Sequence, residues 1–451
     1  MKHSNPPSYD RKRAWIVTGL LLVFMLINFA DKAVLGLSAA PLMDHLGLSA
    51  SQYGTISSGF FLLFSIAAIV GGVVSDRMPS KWLLLGMALV WSVAQLPMLV
   101  PLGAYGFWVV LGSRIVLGTA EGPAYPVANH AAHKWFPDKD RDLASGILTI
   151  GAPLGVVLAA PGLTWIISSF GWRSAFFVMA VLGLVWAAAW ARFGQDGPIE
   201  KIEPVDAERA PDLTVVASTP LPYWRILASR TWIGSVMAGF AAYWALAVLI
   251  SWIPIYAQKV LGFSSAATGF VIAVPWGIMA LAMITQGLVS KSLTSRGVST
   301  RITRGVLNSV VLLICGGFVF AALVVDPVWM KVLFMSLGFG MCAVSVPIGQ
   351  ALCSEISPAG RNGGVLGAFA AVYSLSGIIA PMLTGRIIDA SGSTGAGFDR
   401  IFAITGVILL VGGVVSGVLI HPTRDRLRIA RLGSDKGPAA GSHTSAALAH
   451  D

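Results

Sequence analysis

Four ionisable side chains stand inside long apolar stretches of the 451-residue sequence: Asp31 and Lys32 within residues 15–38, and Arg114 and Glu121 within 105–127. Charged groups in such surroundings are costly and by default mark a substrate pathway or a proton relay. Arg114 and Glu121 are seven residues apart, so on a helix they share one face, about 10 Å apart along its axis. Arg114 cannot deprotonate and presents a fork that fits a carboxylate; with Lys32 it suits the holding of a substrate anion. Asp31 and Glu121 suit the binding and release of protons, because a carboxyl group changes its proton affinity as its charged partners come and go. Mutual neutralisation of two acids and two bases is the structural alternative. It explains less, since buried ion pairs often stabilise a fold less than apolar packing would.

The elements that must position these groups are membrane spans. The chain is 55% hydrophobic and 12% charged, with a mean hydropathy of +0.76, against roughly 25% charged residues in a soluble domain. Fifty glycines and fifteen tryptophans fit close-packed helices with interfacial anchors. About 20 apolar residues cross a bilayer, and twelve such stretches occur: roughly 15–38, 54–74, 82–100, 105–127, 143–166, 173–193, 231–256, 267–289, 303–325, 329–352, 363–388 and 398–420. The predicted fold is all-α. An arm (1–14) precedes a six-helix half (15–193), followed by a polar linker (194–230), a second six-helix half (231–420) and a disordered tail (421–451). An apolar run as long as 15–38 with no Ala-x-Ala site is a first span, not a cleaved signal.

With the termini and the even-to-odd loops on one side, that side collects 24 of the 31 Lys and Arg residues. The positive-inside rule then predicts both termini in the cytoplasm, of a bacterial inner membrane. The net charge of +10 is thus topological, and no nucleic-acid partner is expected beyond the lipid bilayer. Cys315, Cys342 and Cys353 lie in apolar stretches and suggest neither disulfides nor zinc. No histidine pair has metal-ligand spacing, and no nucleophile–base grouping appears. The chain is therefore expected to be a monomer that is not an enzyme and needs no metal or cofactor. The second half carries no charge in mid-span; its polar candidates for lining a site are Ser374, Tyr243 and Tyr373, which otherwise join helices by hydrogen bonds.

Two motifs extend this reading. The loop after the second stretch, Gly72-Val-Val-Ser-Asp76-Arg77-Met-Pro-Ser-Lys81, resembles the signature of the major facilitator superfamily. There Gly72 lets helices approach, while Asp76 and Arg77 latch helix ends as a gate. The loop after the eighth stretch, Gly287-Leu-Val-Ser-Lys291, repeats the pattern with Lys291 at the aspartate position, as a duplicated half would. Asn28-Phe-Ala-Asp31-Lys32, Arg114-Ile-Val-Leu-Gly118-Thr-Ala-Glu121-Gly-Pro123 and Trp135-Phe136-Pro137 with Arg141 resemble the anion:cation symporter family within that superfamily, over roughly 14–420.

That resemblance implies an alternating-access transporter importing a small organic carboxylate with protons, with Asp31 and Glu121 as coupling acids and Arg114 on the carboxylate. Lys32 replaces a usual arginine, keeping the charge without the fork. Sugar-acid members carry tyrosine and glutamine where this chain has Phe64 and Ala68, glutamine near Ala152 and asparagine near Ser374. A cavity poorer in hydroxyl partners favours an aromatic or simple aliphatic acid. The expected sequence of events is that protonation of Asp31 and Glu121 frees Arg114 from them. The alternative is a drug:proton antiporter exporting apolar or cationic compounds. Its span-5 glycine pattern is only approximated by Gly151-Ala-Pro153-Leu-Gly155, and a central Arg114 disfavours cationic cargo.

Overall fold

The computed structural model describes residues 10–75, 77–198, 222–358 and 361–434. Its helices in the first half are α1 (Arg11–Leu37), α2 (Ala39–Leu46), α3 (Ala50–Leu62), α4 (Phe64–Ser75), α5 (Ser80–Gln95), α6 (Gly106–Glu121), α7 (Ala124–His133), α8 (Asp138–Phe170) and α9 (Trp172–Phe193). The second half has α10 (Tyr223–Leu227), α11 (Arg230–Ser251), α12 (Ile253–Lys259), α13 (Ser265–Ser295), α14 (Leu307–Val324), α15 (Val328–Met341), α16 (Ser345–Ile356), α17 (Asn362–Asp389), α18 (Thr394–Leu419) and α19 (Pro422–Ser434).

Among the described residues, eleven crossings are helical stretches long and apolar enough to span a membrane. The remaining one, the fourth, is α6 followed by α7, broken at Gly122 and Pro123. Proline interrupts the helical hydrogen-bond ladder, and Gly122 packs so closely on α4 that a Cβ would overlap the Phe64 carbonyl oxygen. Helix starts follow ordinary capping chemistry. Ser49 and Gln52 form a reciprocal box at α3, and Ser229, Ser264 and Ser393 cap α11, α13 and α18. Large apolar side chains such as Leu158, Phe270 and Leu288 point outward, as a lipid-facing surface requires.

The two halves are joined at the end of the bundle away from the chain termini. There α3 begins beside the end of α17, and α13 begins beside the end of α8. The carboxylate of Asp389 accepts the backbone N–H groups of Ala50 at 3.0 Å and Ser51 at 2.8 Å, an anion seated on the positive end of α3. Lys259 pairs with Asp44 at 3.0 Å, and the Tyr53 hydroxyl donates to the Ser251 carbonyl at 2.9 Å. Backbones meet at glycines: a Cβ on Gly36 would overlap the carbonyl of Ile250, and one on Gly54 the carbonyl of Pro381. Filling such a contact costs about 1–3 kcal/mol. Gly54→Val is therefore expected to weaken the association of α3 with α17 by a factor of roughly 5 to 150. Spin-label distances between α3 and α17 at that end check this; an unchanged distance distribution would mean that the contact does not hold the two halves together.

Two expectations are corrected. The tail is not disordered from 421 onward: α19 continues to Ser434. Its Ile429 is buried with Ile226, Cys353 and Ile356, and its Asp425 accepts the Thr231 N–H at 2.7 Å, beside the start of α11. Its arginines made it read as polar chain, whereas only one face is polar. Close approach in the span-2 motif falls on Gly71, where a Cβ would overlap the Pro123 ring, while at Gly72 it would meet nothing within 4 Å. One residue along a helix turns the face by about 100°. Arg77 is exposed; Asp76 lies outside the described residues, as do 199–221 of the linker and the tail beyond 434.

Candidate functional site

α1 and α6 carry the four ionisable groups into the first half, and α5 closes behind them. Asp31, Arg114 and Glu121 are each no more than 2% exposed. The ammonium of Lys32 lies 3.0 Å from Glu121 Oε2, donates to Asn28 Oδ1 one helical turn earlier, and sits 4.3 Å from the centroid of the Phe29 ring. Glu121 is the last residue of α6, and beyond Lys32 the side chain its carboxyl meets is that of Asp31. Asp31 accepts a hydrogen bond from the Gln95 side-chain amide; Arg114, Glu121 and Lys32 are the charges around it.

Arg114 is not paired with the acids from which its release was expected. No carboxylate lies within 4 Å of it among the described residues, and its Nη2 has no hydrogen-bond partner. The guanidinium carbon is 5.5 Å from the centroid of the Phe176 ring. The acid Glu121 is thus held by Lys32, and Arg114 needs no release from a salt bridge. Depth along a helix, which spacing provides, does not reveal which base turns toward which acid.

Arg114 and Lys32 open onto a cavity between the halves, bounded also by Tyr53, Ser57, Phe61 and Ser251. Its free space of about 20 Å³ holds about one water, so any substrate must enter with the seam apart. Of the other predicted contact residues, Tyr243, Tyr373 and Ser374 lie on that seam, and Phe64 packs within the first half beside it. Phe61 stacks edgewise on Tyr243 at 5.8 Å, Tyr243 on Tyr373 at 5.0 Å, and Tyr373 on Phe369 at 5.0 Å. Phe64 packs on Phe60 at 5.5 Å and has Lys32 Nζ 5.7 Å from its centroid. The Ser374 hydroxyl bonds that of Ser65 across the halves. Sequence reasoning missed Asn28 as a ligand of Lys32, and Tyr53, Ser57 and Gln95 altogether. Gln95, a buried amide at the end of an otherwise apolar span, was the one visible signal.

The family model of the Major Facilitator Superfamily matches residues 20–381 and 309–444. The chain belongs to the major facilitator superfamily. Among relatives in the superfamily, the "Hexuronate transporter" of Bacillus subtilis (strain 168) is 29% identical over 88% of this chain and 91% of its own length. The "Probable anion transporter 4, chloroplastic" of Oryza sativa subsp. japonica is 30% identical over 90% of this chain and 68% of that protein. The fold matches a bacterial homolog of the human lysosomal transporter Spinster, solved in an inward-facing and unoccupied conformation, with a TM-score of 0.73. That likeness covers 93% of this chain and 99% of the other at 18% identity. The major facilitator architecture of two helical halves is therefore the architecture of this multi-pass membrane protein.

Proposed function

We propose that this protein is a proton-coupled symporter that imports a small organic carboxylate by alternating access. The observation that carries the reading is Arg114: a buried guanidinium between the halves, with an unpartnered Nη2 and no carboxylate of the described residues within ion-pair distance. A buried fork of this kind is stabilised by a planar anion that satisfies both its charge and its donors. Relatives named as anion and hexuronate transporters support the anionic cargo.

Coupling follows from Lys32. While Glu121 is ionised it holds the ammonium; once protonated it no longer does, and Lys32 can turn to the substrate as a second positive contact. The anion and the proton thus stabilise the same rearranged site, and each favours binding of the other. With the termini cytoplasmic, the closed end formed by α3 and α17 is the outer one, and rocking of the halves exchanges access around the central site. Release inside follows when Glu121 loses its proton and reclaims Lys32.

The aromatic seam of Phe61, Tyr243 and Tyr373 favours an aromatic or simple aliphatic acid, whose apolar body needs no hydroxyl partners. The hexuronate-transporting relative favours a sugar acid as the second reading. Thermal stabilisation of the purified protein separates them, using benzoate-like, short aliphatic and sugar acids and cationic drugs at mildly acidic and mildly alkaline pH. Stabilisation confined to one class of carboxylate, stronger at acidic pH, is expected. A response confined to cationic drugs would overturn the carboxylate assignment in favour of drug export.

A further inference from the structure

The two coupling acids have unequal surroundings. Asp31 has a dedicated neutral donor, the side-chain amide of Gln95 on α5, in a site where both residues are 1% exposed. Glu121 has no amide donor of this kind; it meets the ammonium of Lys32 and the carboxyl of Asp31 itself. An amide N–H donated to a carboxylate oxygen favours the charged form of that acid. An ammonium held by one acid can instead leave it, and a buried carboxylate without a donor is costly enough that it takes up a proton.

Resting on the proton-symport reading above, we propose that Gln95 assigns the two acids separate roles. Its amide keeps Asp31 as a permanent anion beside Arg114, and Glu121 alone takes up and returns the transported proton. Gln95 is then a positioning residue acting through Asp31. Its carrier, α5, is held firmly there: the Ser113 hydroxyl of α6 donates to the carbonyl of Ala94 at 2.5 Å, and the helix passes directly into a short 3-10 turn beginning at Leu96. The charged groups facing Asp31 are Lys32 from its own helix and Arg114 and Glu121 from α6; α5 contributes Gln95 and no charge. One proton per substrate follows, since only one of the two acids changes its state.

Gln95→Met in proteoliposomes tests this, because methionine keeps the volume and removes the donor. A hydrogen bond to a charged group contributes about 1.5–3 kcal/mol. Its loss lets Asp31 compete for protons, moving the midpoint of the pH dependence of uptake upward by about one to two pH units. The number of protons moved per substrate should rise above one near the new midpoint. Substrate counterflow, which needs binding and rocking but no net proton movement, should persist and shows that the variant is folded. In an Asp31→Asn background, Gln95→Met should add no further shift, as an effect transmitted through Asp31 requires. An unchanged midpoint in Gln95→Met with intact counterflow would overturn the role of Gln95. Absence of substrate-dependent proton movement in the wild-type protein would instead overturn proton symport itself.

Discussion

Arg114→Ala is expected to abolish carboxylate binding, with apparent affinity lowered at least about 30-fold. Truncating one partner of a buried, hydrogen-bonded charge pair costs about 2–5 kcal/mol, and here the substrate carboxylate is the partner. The structure makes the result interpretable. Arg114 has no ion-pair partner within 4 Å among the described residues, so its removal does not strand a directly paired acid, the usual reason such variants unfold. Arg114→Lys keeps the charge, loses the fork, and should fall between wild type and alanine. Binding is read from ligand-induced thermal stabilisation and from the concentration dependence of counterflow. An apparent affinity unchanged in Arg114→Ala would remove this residue from the site and, with it, the main support for an anionic substrate.

Glu121→Gln should eliminate proton-driven accumulation while counterflow partly survives. Glutamine mimics the protonated acid, so Lys32 is left permanently able to meet the substrate and the return step that needs the ammonium recaptured is lost. A one-proton symporter can concentrate its substrate about tenfold for each pH unit of gradient; in the variant the internal and external concentrations should converge. Both activities are measured on the same vesicles with and without an imposed gradient. Equal loss of both would make Glu121 a structural partner of Lys32, whose pairing is buried enough that breaking it costs about 3–5 kcal/mol.

Much of the architecture is written in hydropathy. The ends of the twelve apolar stretches lie within a few residues of the helices, because a bilayer imposes a length that no other constraint competes with. The four buried charges were equally visible, since nothing else in a span resembles them. What the sequence does not carry is rotation. Spacing places Arg114 and Glu121 on one face of α6, yet Lys32, from another helix, is the base that reaches Glu121, a matter of how α1 is turned against α6. The same blindness put close packing at Gly72 in place of Gly71. Gln95, Tyr53 and Ser251 were obscure for a different reason. Uncharged polar residues occur throughout the spans, and their importance arises only when helices distant in sequence bring them to an ionised neighbour or across the seam. The order in α19 escaped notice because four arginines, Arg424, Arg426, Arg428 and Arg431, outweigh the buried Ile429 in any average.

The division of opposite charges between α1 and α6 also bears on how the chain is made. A charged residue at the centre of a span costs about 2.5–3.5 kcal/mol on insertion, and the fourth span brings both Arg114 and Glu121 on the 16-residue α6. At 16 residues, α6 is also shorter than the roughly 20 apolar residues that cross a bilayer unaided. By the time it leaves the ribosome, the first span is already synthesised with Lys32 and Asp31 at a matching depth. The Lys32–Glu121 pair then serves as an assembly contact during biogenesis before it serves in transport. A nascent chain truncated after the fourth span should lose that span from the bilayer when Lys32 is replaced by an acid, and keep the first three.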